Sequence, residues 1–281
     1  MTNELTNEID EVLGTLCKNN PTNLKFCYLN VNSIRNKFSD LKQIINGKVD
    51  IVSIAETKLD GSFPTAQFIW EGYKEPYRLD VNSKSGGLLL YVKSSLPSRL
   101  LKCGNICSSI QAIPIEINLR KEKWLVISIY RPPKQNSEYF LNELTKMIDH
   151  FTVNYENYII MGDFNLQPTV PVLEDFLSSN NLTNLIKSNT CFKGSGSCID
   201  LILTNRKHSF KHTSSYETGI SDHHHMIYTM LKSCFKNAEP IVLNYRDYKT
   251  FSKENFDREL EESLANCGDS YTDFQNILSL P

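Results

Sequence analysis

The sequence runs to 281 residues, 40% hydrophobic and 22% charged, which is apolar material for one large domain or a domain with a short appendage. Lys and Arg total 30 against 32 Asp and Glu, so the formal net charge of −2 excludes a global positive field, and affinity for a polyanion must come from local patches. Residues 1–23 are polar, end near Pro21 and read as a leader. Leu24 to Val31 is the first strand. Ser33 then reads as a helix N-cap, with Ile34, Phe38, Leu41, Ile44 and Ile45 at helical spacing and Gly47 closing the pattern. Ile51 to Thr57 is a continuous apolar run of the kind buried on both faces of a sheet.

Gly86 to Ser95, Ser109 to Leu119 and Lys123 to Tyr130 read as three successive antiparallel strands. A helix follows over 137–152, striped by Phe140, Leu141, Leu144, Ile148 and Phe151. Asn157 to Asn165 is another buried strand, 172–177 a short helix, and Cys198 to Asn205 and His224 to Leu231 two further strands. This order fits helices outside a mixed, two-sheet core over residues 24–232. Residues 233–281 hold 5 basic and 9 acidic residues, with Phe256, Leu260 and Leu264 on an amphipathic stretch, and read as a linker and helical extension.

Eight cysteines without an apolar leader point to a reducing compartment, nucleus or cytoplasm, with most of them packed as small core residues. A zinc site from Cys191, Cys198, His208 and His212 matches no compact zinc spacing. No apolar run reaches membrane-spanning length.

Polar groups able to bind a cation or move a proton recur where strands end: Asn30, Glu56, Asp163 with Asn165, Asp200, and Asp222 with His223. Acids directly after apolar strands are costly to bury without a metal, a cation or a histidine. Asp163 and Asn165 are one residue apart, so an extended chain aims both to one face, and Gly162 before them admits a ligand's close approach. Glu56 sets a hard oxygen at a strand end, as magnesium prefers. Taken singly, an ordinary turn or a surface glutamate would show the same residues. His223, His224 and His225 alternate sides on a strand and cannot all converge. His223 is the expected working histidine and Asp200 its orienter.

Leu29-Asn30-Val31-Asn32-Ser33, Ala55-Glu56-Thr57, Ile129-Tyr130-Arg131-Pro132, Gly162-Asp163-Phe164-Asn165, Ile199-Asp200-Leu201-Ile202 and Ser221-Asp222-His223 follow one another as in the endonuclease/exonuclease/phosphatase superfamily, which the chain resembles over about 200 residues. Pro76 to Asp80, Gly86 to Val92, Asp200 to Asn205 and Tyr245 to Tyr248 are similar in wording to the apurinic-endonuclease-like domains of jockey-like, LINE-type retrotransposons. The resemblance implies a four-layer α/β/β/α sandwich of two mixed, mostly antiparallel sheets flanked by helices. It also implies a DNA endonuclease that nicks a phosphodiester bond and leaves a 3′-hydroxyl.

On this resemblance magnesium, with manganese as a substitute, would sit on Glu56, Asn30 and Asp222. Asp163 would move the proton, Asn165 and Tyr130 would contact the phosphate, and His223 with Asp200 would stabilise its charge. Arg131, Arg206 and Lys207 would contact phosphate or DNA. Lys211 and the trio Arg120, Lys121 and Lys123 are further basic residues, each equally well read as a solvated turn. Asn32 and Pro133 depart from the apurinic-site enzymes and favour the retroelement branch. DNA is the expected partner, with a reverse transcriptase in the full element, and no membrane or small-molecule cofactor. No Tyr-x-Asp-Asp motif occurs, so 233–281 reads as the start of a connector. Alternatives left open are a phosphatase or nuclease acting on a lipid, inositol or RNA phosphoester, and an inactive nucleic-acid-binding fragment.

Overall fold

The computed structural model describes residues 2–102, 109–119, 122–234 and 252–265. In chain order these form α1 (Thr2–Asn19), β1 (Asn23–Asn30), α2 (Phe38–Ile45), β2 (Ile51–Ala55), β3 (Tyr77–Leu79), β4 (Leu88–Val92) and β5 (Ser98–Leu100). Then come β6 (Gln111–Leu119), β7 (Glu122–Tyr130), α3 (Ser137–Thr152), β8 (Asn157–Asp163), α4 (Pro171–Ser179) and β9 (Thr183–Asn184). The series ends with β10 (Asp200–Thr204), β11 (Phe210–Tyr216), β12 (Met226–Cys234) and α5 (Lys253–Ala265).

The strands sort into two six-stranded sheets, β11-β12-β1-β2-β4-β3 and β5-β6-β7-β8-β10-β9. Each sheet has a parallel pair at its centre, β1 with β2 across α2 and β7 with β8 across α3, and antiparallel neighbours around it. A parallel pair needs a crossover, and each helix supplies it while covering its sheet's outer face. Three apolar layers result: α1 and α2 on the first sheet (Leu13, Ile44, Ile54), sheet on sheet (Phe26, Trp124, Ile202), and α3 and α4 on the second (Phe140, Leu144, Leu173). Central strands covered on both faces bury every residue, which is why β1 and β2 read as continuous apolar runs. Between the sheets the Ser53 and Ser128 hydroxyls bond at 2.6 Å, so neither buried group is left unsatisfied.

Several expectations change. Within residues 1–23, read as a leader, Thr2–Asn19 forms helix α1, which drives Ile9 and Leu13 into the first core layer. Ser33 caps nothing: α2 starts at Phe38 without a side-chain cap, and the intervening turn holds Ser33 at φ +91°. The three strands read as successive are divided, since β4 joins the first sheet and β6 with β7 the second. Short or polar strands (β3, β5, β9 and β11) have no apolar pattern to announce them. Chain contacts divide the molecule into 1–237 and 238–281. In the latter α5 exposes Phe256 and Leu260, while residues 235–250 and the Leu264 side chain lie outside the described set. Among the described residues no helix is long and apolar enough to cross a membrane.

Candidate active site

Asn30, Tyr130 and Asp163 close strands β1, β7 and β8, and Glu56 directly follows β2. These four strands form the two parallel pairs, so within each sheet the residues arrive at one rim. β10 and β12 run against β8 and β1, which brings the start of β10, Asp200, and the residue two before β12, His224, to that rim. Open α/β sheets bind ligands beyond the carboxyl ends of their parallel strands, and this site follows the same rule.

Asn30 joins the two sheets. Its Nδ2 donates to Glu56 Oε1 at 3.0 Å and to Asp163 Oδ2 at 3.0 Å, while its Oδ1 accepts from the Asn32 amide at 3.1 Å. Tyr130 Oη donates to the same Glu56 oxygen at 3.0 Å, and the Asn165 amide donates to Asp163 Oδ1 at 2.8 Å. Asp200 stands directly opposite Asp163 across β8 and β10, and its Oδ2 lies 2.9 Å from His224 Nδ1. The loops are held under strain: Asn32, Ser33, Glu56, Lys58 and Asn165 all have positive φ. The Gly86 and Gly87 carbonyls clasp the amides of Lys58 and Thr57, which fixes the turn that presents Glu56. A Cβ at Gly87 would meet Thr57 Oγ1 at 2.4 Å, and its φ of +91° also calls for glycine.

These groups share an open cavity of about 410 Å³ lined by Asn30, Glu56, Asp163, Asn165, Asp222 and His224 among others. Burial pushes the Asp163 carboxyl up to about 8, and the facing Asp200 carboxylate adds to the shift. Burial raises Asp200 as well, offset in part by His224. Burial by itself would push the His224 imidazole down, yet the Asp200 hydrogen bond and negative charge carry it above its ordinary value. Asp200 Oδ1 is buried with no hydrogen-bond partner. Two buried carboxylates face to face, with one oxygen unsatisfied, need protons or a cation, so the donor set fits a divalent metal. Among the described residues Asp163, Asp200 and His224 are the one grouping of His, Cys, Asp or Glu compact enough for an ion, their ligand atoms within 4.8 Å of one another. Cys191, Cys198, His208 and His212 form no such group.

Other sequence expectations are corrected by the same geometry. Asp200's partner is His224, not His223. The segment 190–192 pairs with 223–225 through Phe192 N to His223 O and His225 N to Thr190 O, both 2.7 Å, so the three histidines alternate sides and the middle one faces Asp200. His223 still borders the cavity. Asn30 turns its NH₂ to the carboxylates and engages its oxygen elsewhere, so in this arrangement it holds Glu56 and Asp163 in place rather than offering a metal ligand. Asp222 is 63% exposed, accepting from Asn32 Nδ2 at 3.3 Å with Lys37 Nζ at 3.9 Å. Asn165 borders the cavity, but its Nδ2 is taken by the Arg131 carbonyl at 2.7 Å.

Arg131 is 4% exposed, and its guanidinium is spent on the main-chain carbonyls of Phe164, Pro132, Gln135 and Asn165, which pins the Asp163 loop and leaves the cation away from substrate. Arg206 and Lys207 follow the far end of β10, about 20 Å along the chain from Asp200 at strand rise. Lys211 donates to Asn20, Lys123 begins β7 at the end away from Tyr130, and Arg120 and Lys121 lie outside the described residues. Among the described residues the lysines near the cavity are Lys58, 3.7 Å from Glu56, Lys37, 3.9 Å from Asp222, and Lys193 on the lining, and no basic run in the sequence marks them. Gly162 serves packing, since a Cβ there would lie 2.2 Å from the Ile129 carbonyl oxygen on β7.

No curated protein sequence matches the chain. Solved structures share its fold at low identity. The endonuclease domain of TRAS1, a telomere-specific non-LTR retrotransposon, has a TM-score of 0.59 at 14% identity over 74% of this chain and 98% of that one. The AP endonuclease LMAP of Leishmania major has 0.63 at 12% over 75% and 88%. The 3′-5′ exonuclease NExo of Neisseria meningitidis has 0.60 at 17% over 74% and 99%. Residues 27–223, spanning the groups that meet at the rim up to one residue short of His224, match the Endonuclease/Exonuclease/phosphatase family, and the chain belongs to that family.

Proposed function

We propose that this protein is a divalent-metal-dependent endonuclease that hydrolyses one phosphodiester bond of DNA, leaving a 3′-hydroxyl of the kind that primes target-primed retrotransposition. The observation that carries the reading is the joining of Glu56 and Asp163 through one Asn30 amide, with His224, held from behind by the buried Asp200, lining the same open cavity. The likeness to the TRAS1 domain and the ordered motifs support the retroelement branch, where a reverse transcriptase would use the nick. The free cysteines Cys17, Cys27, Cys191 and Cys198 suit the reducing interior of a cell.

Glu56, on the cavity lining beside the Asp163–Asp200–His224 grouping, would hold the cation, and carboxylate oxygens suit magnesium, with manganese in its place. When bound, the metal supplies positive charge to the phosphoryl oxygens. Asp163 takes the proton of the attacking water as its oxygen bonds to phosphorus. The Asn30 and Asn165 hydrogen bonds hold the Asp163 carboxyl at the cavity lining for that transfer. The phosphorus–O3′ bond breaks and the 3′-oxygen leaves as a hydroxyl after protonation from solvent. His224, held through Nδ1 by Asp200, presents Nε2 to the phosphoryl oxygens, and Tyr130 keeps Glu56 in place.

Purified protein incubated with supercoiled plasmid and magnesium tests the reading. Nicking that disappears in EDTA and in Asp163→Ala supports it. Phosphate release from small phosphoesters with intact plasmid would assign a phosphatase instead, and DNA binding without turnover would assign a binding module.

A further inference from the structure

The strand-like pairing that aims His224 inward also builds a feature facing outward. His225 stacks on Phe192 with ring centroids 4.1 Å apart and planes 26° from parallel. Phe192 remains 47% exposed. Its neighbours Cys191 and Lys193 both line the cavity, and its own amide is tied to the His223 carbonyl at 2.7 Å. A rigid aromatic pair is thus set at the lip of the phosphodiester site, fixed by the same hydrogen bonds that place the inner histidine. An exposed phenylalanine gains nothing from water, and beside a phosphate site the ligand surface within reach is the flanking nucleotide, whose base offers a π-face.

We infer that Phe192, backed by His225, is a stacking platform for an unpaired nucleobase next to the phosphate that is cut, so that the enzyme favours single-stranded or locally opened DNA. The inference rests on the nucleic-acid reading above. Stacking is tolerant of base identity, so the platform reads whether a base is unstacked and leaves its sequence unread. Lys193 beside it, on the cavity lining, supplies a cation for the adjoining backbone.

The test measures binding in EDTA of single-stranded oligonucleotides carrying 2-aminopurine, with the same strands bearing abasic residues in place of bases as controls. Phe192→Ala is expected to weaken binding of the intact strand roughly 5- to 100-fold, the range that loss of one stacked base gives, and to leave the abasic strand unchanged. Phe192→Trp should restore binding and the fluorescence change, whereas Phe192→Leu, which keeps bulk without an aromatic face, should bind like the alanine variant. Wild-type affinity in Phe192→Leu, or equal losses on intact and abasic strands, would show a loop-packing role and overturn the platform. With plasmid nicking intact, either of those results sinks this inference alone. Absence of nicking sinks the endonuclease reading, and the binding series still decides the role of Phe192.

Discussion

At the scale of single residues the site is a problem in buried charge. Asp163 and Asp200 oppose each other on adjacent strands with one histidine between them and solvent, so without metal the pair prefers to hold protons. Raising the folded-state pKa of Asp163 above its unfolded value gives stability that is fully present below about pH 4 and lost as pH rises through about 8. In EDTA the melting temperature should fall between pH 5 and pH 8. Asp163→Asn should flatten that fall and melt higher than wild type at pH 8, at about 2–4 °C per kcal/mol for a domain of this size. Scanning calorimetry across pH checks this, and an unchanged slope in the variant would refute it. The neighbouring histidines separate by turnover: His224→Ala should slow plasmid nicking by about 10²- to 10⁴-fold. His223→Ala, which removes a ring from the rim but no partner of Asp200, should stay within a few-fold of wild type. The motif pointed to His223, but the histidine that faces Asp200 is its neighbour His224, because that choice depends on the pairing of 190–192 with 223–225.

At the scale of elements, glycine and helix positions carry the stability. β8 approaches β7 so closely at Gly162 that a methyl group would run into both the carbonyl and the side chain of Ile129. Gly162→Ala should therefore cost about 1–3 kcal/mol, as overpacking does, and shift the Asp163 end of the strand, so denaturant midpoint and nicking rate should fall together. A loss of activity at unchanged midpoint would instead favour the sequence expectation that the glycine makes room for a ligand. The first helix is equally testable. Leu13 is fully buried against the first sheet, and Leu13→Ala should cost about 2–5 kcal/mol. A dispensable leader would tolerate that change without loss. The apolar stripe of α1, Ile9 and Leu13, is short and set among polar residues, which is why it did not announce a packed helix.

For the whole molecule, the seam between the sheets decides whether the two halves of the site meet. Asn30 and Glu56 belong to one sheet, Tyr130, Asp163 and Asp200 to the other, and the Ser53–Ser128 hydroxyl pair lies in the layer between them. Ser53→Ala leaves the Ser128 hydroxyl unpaired and should cost about 1–3 kcal/mol, while the double change to alanine should recover much of it, a difference that a urea-denaturation cycle reads directly. The residues by themselves pointed to helices outside a two-sheet core and to the strand-end groups Asn30, Glu56, Asp163 and Asp200, though not to His224. Short continuous apolar runs bounded by turn signals read as strands covered on both faces, and several acids placed where those runs stop together point to a shared site. Tertiary structure alone decided which sheet each strand joins, that Arg131 is a buried pin and not a phosphate contact, that Arg206 and Lys207 follow the far end of β10, and that His224 faces Asp200. These are questions of register and direction, set by contacts between segments a hundred or more residues apart, and no local pattern along a chain encodes which way a side chain at a strand end finally turns.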